Sequence, residues 1–154
     1  MKALLQRVTS AHVTVESEVV GKIQHGLVVF VGVASEDTTE DIDYLVRKIV
    51  ELRIFEDAEG KFNLSILDVS GELLLVSQFT LLANTRRGRC PGFTDAAPPE
   101  IAETLFNQFV EQIKTSGLKV ETGRFQTHMH VEINNDGPVT IFIDSRERFN
   151  SRSV

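Results

Sequence analysis

The chain has 154 residues, 42% of them hydrophobic, and a formal net charge of −6. That length and apolar content suit one globular domain spanning 1–154, and the acidic balance argues against a surface that binds nucleic acid everywhere. The single cysteine, Cys90, excludes an internal disulfide and a cysteine-based zinc cage. No 18-residue apolar run occurs, and the opening MKALLQRVTSAHVTVE is too polar for a signal-peptide core, so a cytoplasmic location with no membrane contact is expected.

Near the start, Val13 and Val15 alternate with His12 and Thr14, which predicts a strand. Gly21 follows a Val-Val pair and marks a turn. The run LVVFVGV, 27–33, is continuously apolar and predicts a strand buried on both faces. In SEDTTEDIDYLVRKIVELRIF, Thr38 and Asp41 fit a capping box, and Ile42, Leu45, Val46 and Ile49 form one stripe, so a helix is expected. EDAEGKFN is turn-like around Gly60.

ELLLVSQFTLLA, 72–83, reads as a strand with an unusually polar centre. PPEIAETLFNQFVEQIKTSG reads as a helix opened by Pro98 and Pro99 and closed by Gly117, burying Ile101, Leu105, Phe106, Phe109, Val110 and Ile113. Met129, Val131 and Ile133 then alternate toward Asp136-Gly137, while Val139, Ile141 and Ile143 lead away. That is the pattern of a β-hairpin with an Asp-Gly turn. Pro138 is out of place there, because proline donates no hydrogen bond to a strand ladder. Two helices among many short strands indicate an α+β domain with a mainly antiparallel, barrel-like sheet.

Three features carry chemistry. SQFT, 77–80, interrupts a run of Leu and Val with Ser77, Gln78 and Thr80 around Phe79, either because the strand reaches solvent there or because it forms a platform with a hydroxyl and backbone N–H groups for an oxyanion. NTRRGRCPGF, 84–93, crowds Arg86, Arg87 and Arg89 around Gly88, a solvated loop or one that grips phosphate. His128 and His130 are spaced to share one strand face, but no third ligand is evident and no metal is expected. The common nucleophile elbow, zinc-protease and nucleotide-loop motifs are missing.

SQFTL at 77–81 together with NDGPVT at 135–140 resembles the D-aminoacyl-tRNA deacylase (D-tyrosyl-tRNA deacylase) family, whose active-site signatures these two motifs are. The likeness extends to LLQRVTSAHVTVE, GKIQHGLVVFVGV, the arginine loop with PGF, and TGRF. The resemblance implies the family's barrel-like fold with two or three helices, no cofactor, and hydrolysis of the ester in D-aminoacyl-tRNA and glycyl-tRNA. It further implies a cis Gly137-Pro138 bond that breaks the strand and turns carbonyls outward, so that an L-side chain collides and a D-side chain points away.

The same resemblance implies a homodimer in which Ser77, Gln78, Phe79 and Thr80 of one chain face Gly137 and Pro138 of the other. Arg7 would hold the Gly-Pro step, and Arg86, Arg87 and Arg89 would meet tRNA phosphates; Met129 and Phe125 either wall the pocket or simply pack in the core. Thr80 and the Gln78–Phe79 backbone would orient the ester rather than attack it. The chain departs from the family pattern at QTH, 126–128, and at Cys90 before Pro91. Two other classes stay open: a non-catalytic module binding RNA or a small molecule, and a hydrolase dependent on Cys90, whose arginine neighbours would favour a thiolate.

Overall fold

The computed structural model describes residues 1–150. Its strands are β1 (Lys2–Val15), β2 (Glu18–Ile23), β3 (Gly26–Gly32), β4 (Phe55–Glu56), β5 (Phe62–Leu64), β6 (Glu72–Ser77), β7 (Val120–Thr122) and β8 (His130–Asp144), with helices α1 (Thr39–Glu51) and α2 (Pro99–Lys114). The main sheet runs β2-β1-β3-β6-β7, with β8 on the other edge of β1. Pairings within β1, β2, β3 and β8 are antiparallel, while β3-β6 and β6-β7 are parallel. The result is a nearly closed, mixed barrel-like sheet with two helices, an α+β fold.

Two cores explain the sequence patterns. Val28 of β3 and Leu74 and Val76 of β6 face an inner core with Val8, Ala11, Val13 and Ile23. Their neighbours Leu27, Val29, Val31, Leu73 and Leu75 face an outer core with the helices. Both central strands are thus buried on both faces, which is why their sequences are continuously apolar.

The two helices cover the outer core for the reasons their sequences give. In α1 the capping box forms: Thr38 Oγ1 accepts from Glu40 N–H, and Asp41 Oδ2 accepts from Thr38 N–H at 2.8 Å. Ile42, Leu45 and Ile49 are buried. In α2 Phe106, Phe109, Val110 and Ile113 are buried, but Ile101 is 49% exposed and Leu105 only half-buried. The apolar stripe read from the sequence thus outruns the surface that buries it.

Four expectations are corrected. Gly21 lies inside β2, paired with Val13, rather than in a turn. The 72–83 strand ends at Ser77, and a short 3-10 turn takes Phe79–Leu82. The strands are not uniformly short, since β1 has 14 residues and β8 has 15. Finally, 133–145 is no hairpin: β8 passes straight through Asp136-Gly137, paired with β1 before and after it. Ala11 pairs with Ile133 and Leu5 with Ile141, so β8 is longer than β1 over the same span and must throw out a bulge. The extra residues form an excursion at 136–139, where both strands also pass from the inner core to the outer one.

One polar cluster ties the helix start to the C-terminal turn. Asp41, 3% exposed, accepts from Ser145 Oγ at 2.6 Å and from Arg148 Nη1. Burial alone would raise its carboxyl, but the hydrogen bonds from Ser145, the Thr38 backbone and Arg148 outweigh it and hold the pKa below the ordinary aspartate value. A depressed carboxyl contributes stability above its unfolded value, near pH 4, and loses it as pH falls through the folded value. Asp41→Asn should therefore cost about 2 kcal/mol at neutral pH. The gap from the parent protein should shrink below about pH 4 in urea titrations.

Candidate active site

Gln78 is where the platform begins. Its N–H donates to Val31 O at 2.8 Å, extending the β3-β6 pairing by one bond, and its carbonyl then accepts from Leu81 N–H to close the 3-10 turn. Phe79 and Thr80 open that turn, so their N–H groups have no acceptor within it. Gln78 Nε2 donates to Thr80 Oγ1, leaving the threonine hydroxyl its own proton to give. Phe79 is 56% exposed and meets Phe93 edge to face, with centroids 5.0 Å apart. That contact anchors the arginine loop beside the platform.

Ser77, Gln78 and Phe79 line a cleft of about 710 Å³. Its apolar walls include Phe93, Pro98, Pro99, Phe125 and Met129, and Gln126, Thr127 and His128 form a polar rim. Phe125 also packs on Phe106 of α2, with centroids 6.5 Å apart, and Met129 packs on the inner core. Phe125 and Met129 thus line the cleft and pack against the cores at once. Gln126 sits at φ +57°, in the left-handed region. Nothing in the sequence pattern singled out this rim as cleft-lining. The exposed Thr80 stands beside the cleft rather than in its lining.

The other motif lies elsewhere on the chain. Gly137 borders a separate hollow of about 250 Å³, shared with Arg7, His25, Phe55, Glu56, Val69 and Asp136. The Gly137-Pro138 bond is cis, and both residues are exposed. Asn135 clasps the excursion: its Oδ1 accepts from Val139 N–H at 3.1 Å, and its Nδ2 donates to Thr140 Oγ1 at 3.1 Å. Beneath it, the 4% exposed Arg7 donates from Nε to Asp136 O at 3.2 Å and from Nη1 to Ile54 O at 2.9 Å. One chain therefore does not bring Ser77–Thr80 together with Gly137 and Pro138.

Arg86, Arg87 and Arg89 are all exposed on a loop pinned by the Asn84–Gly92 bridge, with Gly88 at φ +70°. Cys90 is exposed on the same loop and does not line the cleft. His128 precedes β8 while His130 begins it, so the two do not share a strand face. His130 is outside the cleft lining and His128 is in it. Among the described residues no group of three or more His, Cys, Asp or Glu is placed to hold a metal ion, and no helix is long and apolar enough to cross a membrane.

Comparison with known proteins bears on this arrangement. A family model described as D-Tyr-tRNA(Tyr) deacylase matches residues 4–144. A D-aminoacyl-tRNA deacylase of Thermotoga petrophila is 55% identical over 149 residues, covering 97% of this chain and 100% of the relative. One from Clostridioides difficile is 52% identical over the same length and shares. A solved structure titled c-Myc DNA Unwinding Element Binding Protein superposes with a TM-score of 0.89 at 44% identity, covering 94% of this chain and 98% of the other. A probable eukaryotic D-amino acid tRNA deacylase has a TM-score of 0.81 at 17% identity, covering 92% and 97%, a likeness of fold alone.

Gly137 is the position where local geometry is least forgiving. It sits at φ +127°, and a Cβ there would stand 2.8 Å from Val139 Cγ2 and 3.1 Å from Arg7 Nη2. Gly137→Ala should destabilise the protein by about 1–3 kcal/mol, read as a lowered urea midpoint with an unchanged slope.

Proposed function

Because the chain belongs to the D-Tyr-tRNA(Tyr) deacylase family, and is an enzyme that hydrolyses D-aminoacyl-tRNA, we propose that it selects its ester by the chirality of the α-carbon alone, using the Gly137-Pro138 backbone as the reader. The observation that carries this reading is the excursion at 136–139: exposed, clasped from within by Asn135 and held from below by Arg7. A fixed main chain discriminates configuration without contacting a particular side chain. An L-side chain would run into the Gly137 and Pro138 backbone, whereas a D-side chain points away. Glycine has nothing to exclude, so glycyl-tRNA is also a substrate.

The reader and the platform must meet, and within one chain they border different hollows. The reading therefore seats Gly137-Pro138 of one copy in the Ser77–Thr80 cleft of another. The free edge of β8 supports this. That strand pairs only with β1 among the described residues, and it carries Phe142 at 50% exposure. Long uncovered edges are ordinarily paired or protected.

At the platform, water adds to the ester carbonyl carbon and the bond from that carbon to the ribose oxygen breaks. The ribose oxygen leaves with a proton, giving free D-amino acid and tRNA. The Phe79 and Thr80 N–H groups face the developing oxyanion, and the Thr80 hydroxyl, placed by Gln78, orients the ester. The ribose 2′-hydroxyl assists the attacking water. An activated ester has a modest barrier, so orientation and charge stabilisation suffice without a side-chain nucleophile. Arg86, Arg87 and Arg89 hold phosphates near the acceptor end, on the side of the cleft to which Phe93 ties their loop.

Purified protein without added metal should release amino acid rapidly from D-tyrosyl-tRNA and glycyl-tRNA and spare L-tyrosyl-tRNA. Comparable hydrolysis of the D- and L-esters would remove the chiral role of Gly137-Pro138. Binding of tRNA with no release from any ester would reduce the chain to a binding module. Replacing Arg86, Arg87 and Arg89 by glutamine should lower the slope of log Kd against log salt by about 2–3, as expected for three lost phosphate contacts.

A further inference from the structure

Arg7 has more neighbours than the excursion it holds. A guanidinium has five N–H donors and cannot shed its charge, and this one is 4% exposed. On the excursion side it meets Asp136 O at 3.2 Å and Asp136 Oδ2 at 3.5 Å. On the opposite side it meets the hairpin of β4 and β5 and its approach. Nη1 donates to Ile54 O at 2.9 Å, Nη2 lies 3.6 Å from Glu56 Oε1, and the Phe62 ring covers the guanidinium with its centroid 5.5 Å away.

The shorter of the two guanidinium hydrogen bonds is thus on the hairpin side. Phe62 is a large apolar side chain left 54% exposed, and its aromatic face over a cation accounts for that position. Glu56, itself half in solvent, reaches back to a buried charge that would otherwise lean on Asp136 alone. The guanidinium bears on where Gly137 sits through the Nε hydrogen bond to the carbonyl of Asp136, the residue directly before it.

We propose that Glu56 and Phe62 are positioning residues for chiral selection: they hold the Arg7 guanidinium, and through it the Gly137-Pro138 backbone. This rests on the reading that Gly137-Pro138 excludes L-side chains. Without the Glu56 charge, Nη2 is drawn toward the Asp136 carboxylate and turns Nε away from the Asp136 carbonyl. Without the Phe62 ring, water reaches the guanidinium and competes for the same carbonyl. Either change lets the excursion recede and admits the L-ester. The signature is a gain of L-hydrolysis, which a merely weakened fold would not give.

The test compares kcat/KM for D- and L-tyrosyl-tRNA across Glu56→Gln, Phe62→Ala and Phe62→Tyr, with Arg7→Lys and Pro138→Ala as references. The D/L ratio should fall about tenfold or more in Glu56→Gln and Phe62→Ala, through a rise in L-hydrolysis, and return toward the parent value in Phe62→Tyr. An unchanged ratio in both hairpin variants, with a lowered ratio in Arg7→Lys, would overturn the proposal and leave the chiral reading standing. An unchanged ratio in Arg7→Lys and Pro138→Ala as well would sink that reading and the proposal with it. A parallel fall for both esters would mark the hairpin as structural only and also overturn the proposal.

Discussion

The antiparallel pairing of β1 with β8 is the constraint from which the functional geometry descends. Fourteen residues of β1 are held between β2 and β3 on one edge and β8 on the other. The two partners do not match in length between Leu5–Ile141 and Ala11–Ile133. The surplus cannot be absorbed at a free end, because both ends are paired, so it is extruded at 136–139. There β8 has no paired partner on β1, and Arg7 from β1 supplies a side-chain donor to the Asp136 carbonyl instead.

Two buried charges, Asp41 and Arg7, each join segments far apart in the chain. Asp41 takes donors from its own capping box and from Ser145 and Arg148 of the C-terminal turn, which together hold its carboxyl ionised. Arg7 is satisfied from a distance, by carbonyls and carboxylates drawn from two separate segments. Removing one partner from a buried charge is costly, because what remains is incompletely compensated. The first charge ties a helix start to the C-terminal turn; the second joins a small hairpin to the 136–139 excursion.

Much of the site was legible in local pattern. The capping box at Thr38 and Asp41, the apolar stripes, and the polar interruption at 77–80 each depend on neighbours a few residues away, and each marked a real feature. The polar centre at Gln78 marked the end of a strand rather than its middle, because period-two reading does not register where a ladder stops. Ile101 was misread because an amphipathic stripe does not say how far its covering surface extends.

By itself the sequence determined the two helices, the apolar central strands, the family and the motifs, since these rest on short-range chemistry and on residue types in order. The tertiary structure alone decided that 133–145 is one strand with a bulge instead of two strands with a turn. An Asp-Gly pair suits either, and the choice belongs to the register of β1, more than 120 residues earlier. It also decided that the platform and the Gly-Pro element occupy different hollows of one chain, and that Glu56 and Phe62 close around Arg7. Those are contacts between segments far apart in sequence, and no periodicity encodes them.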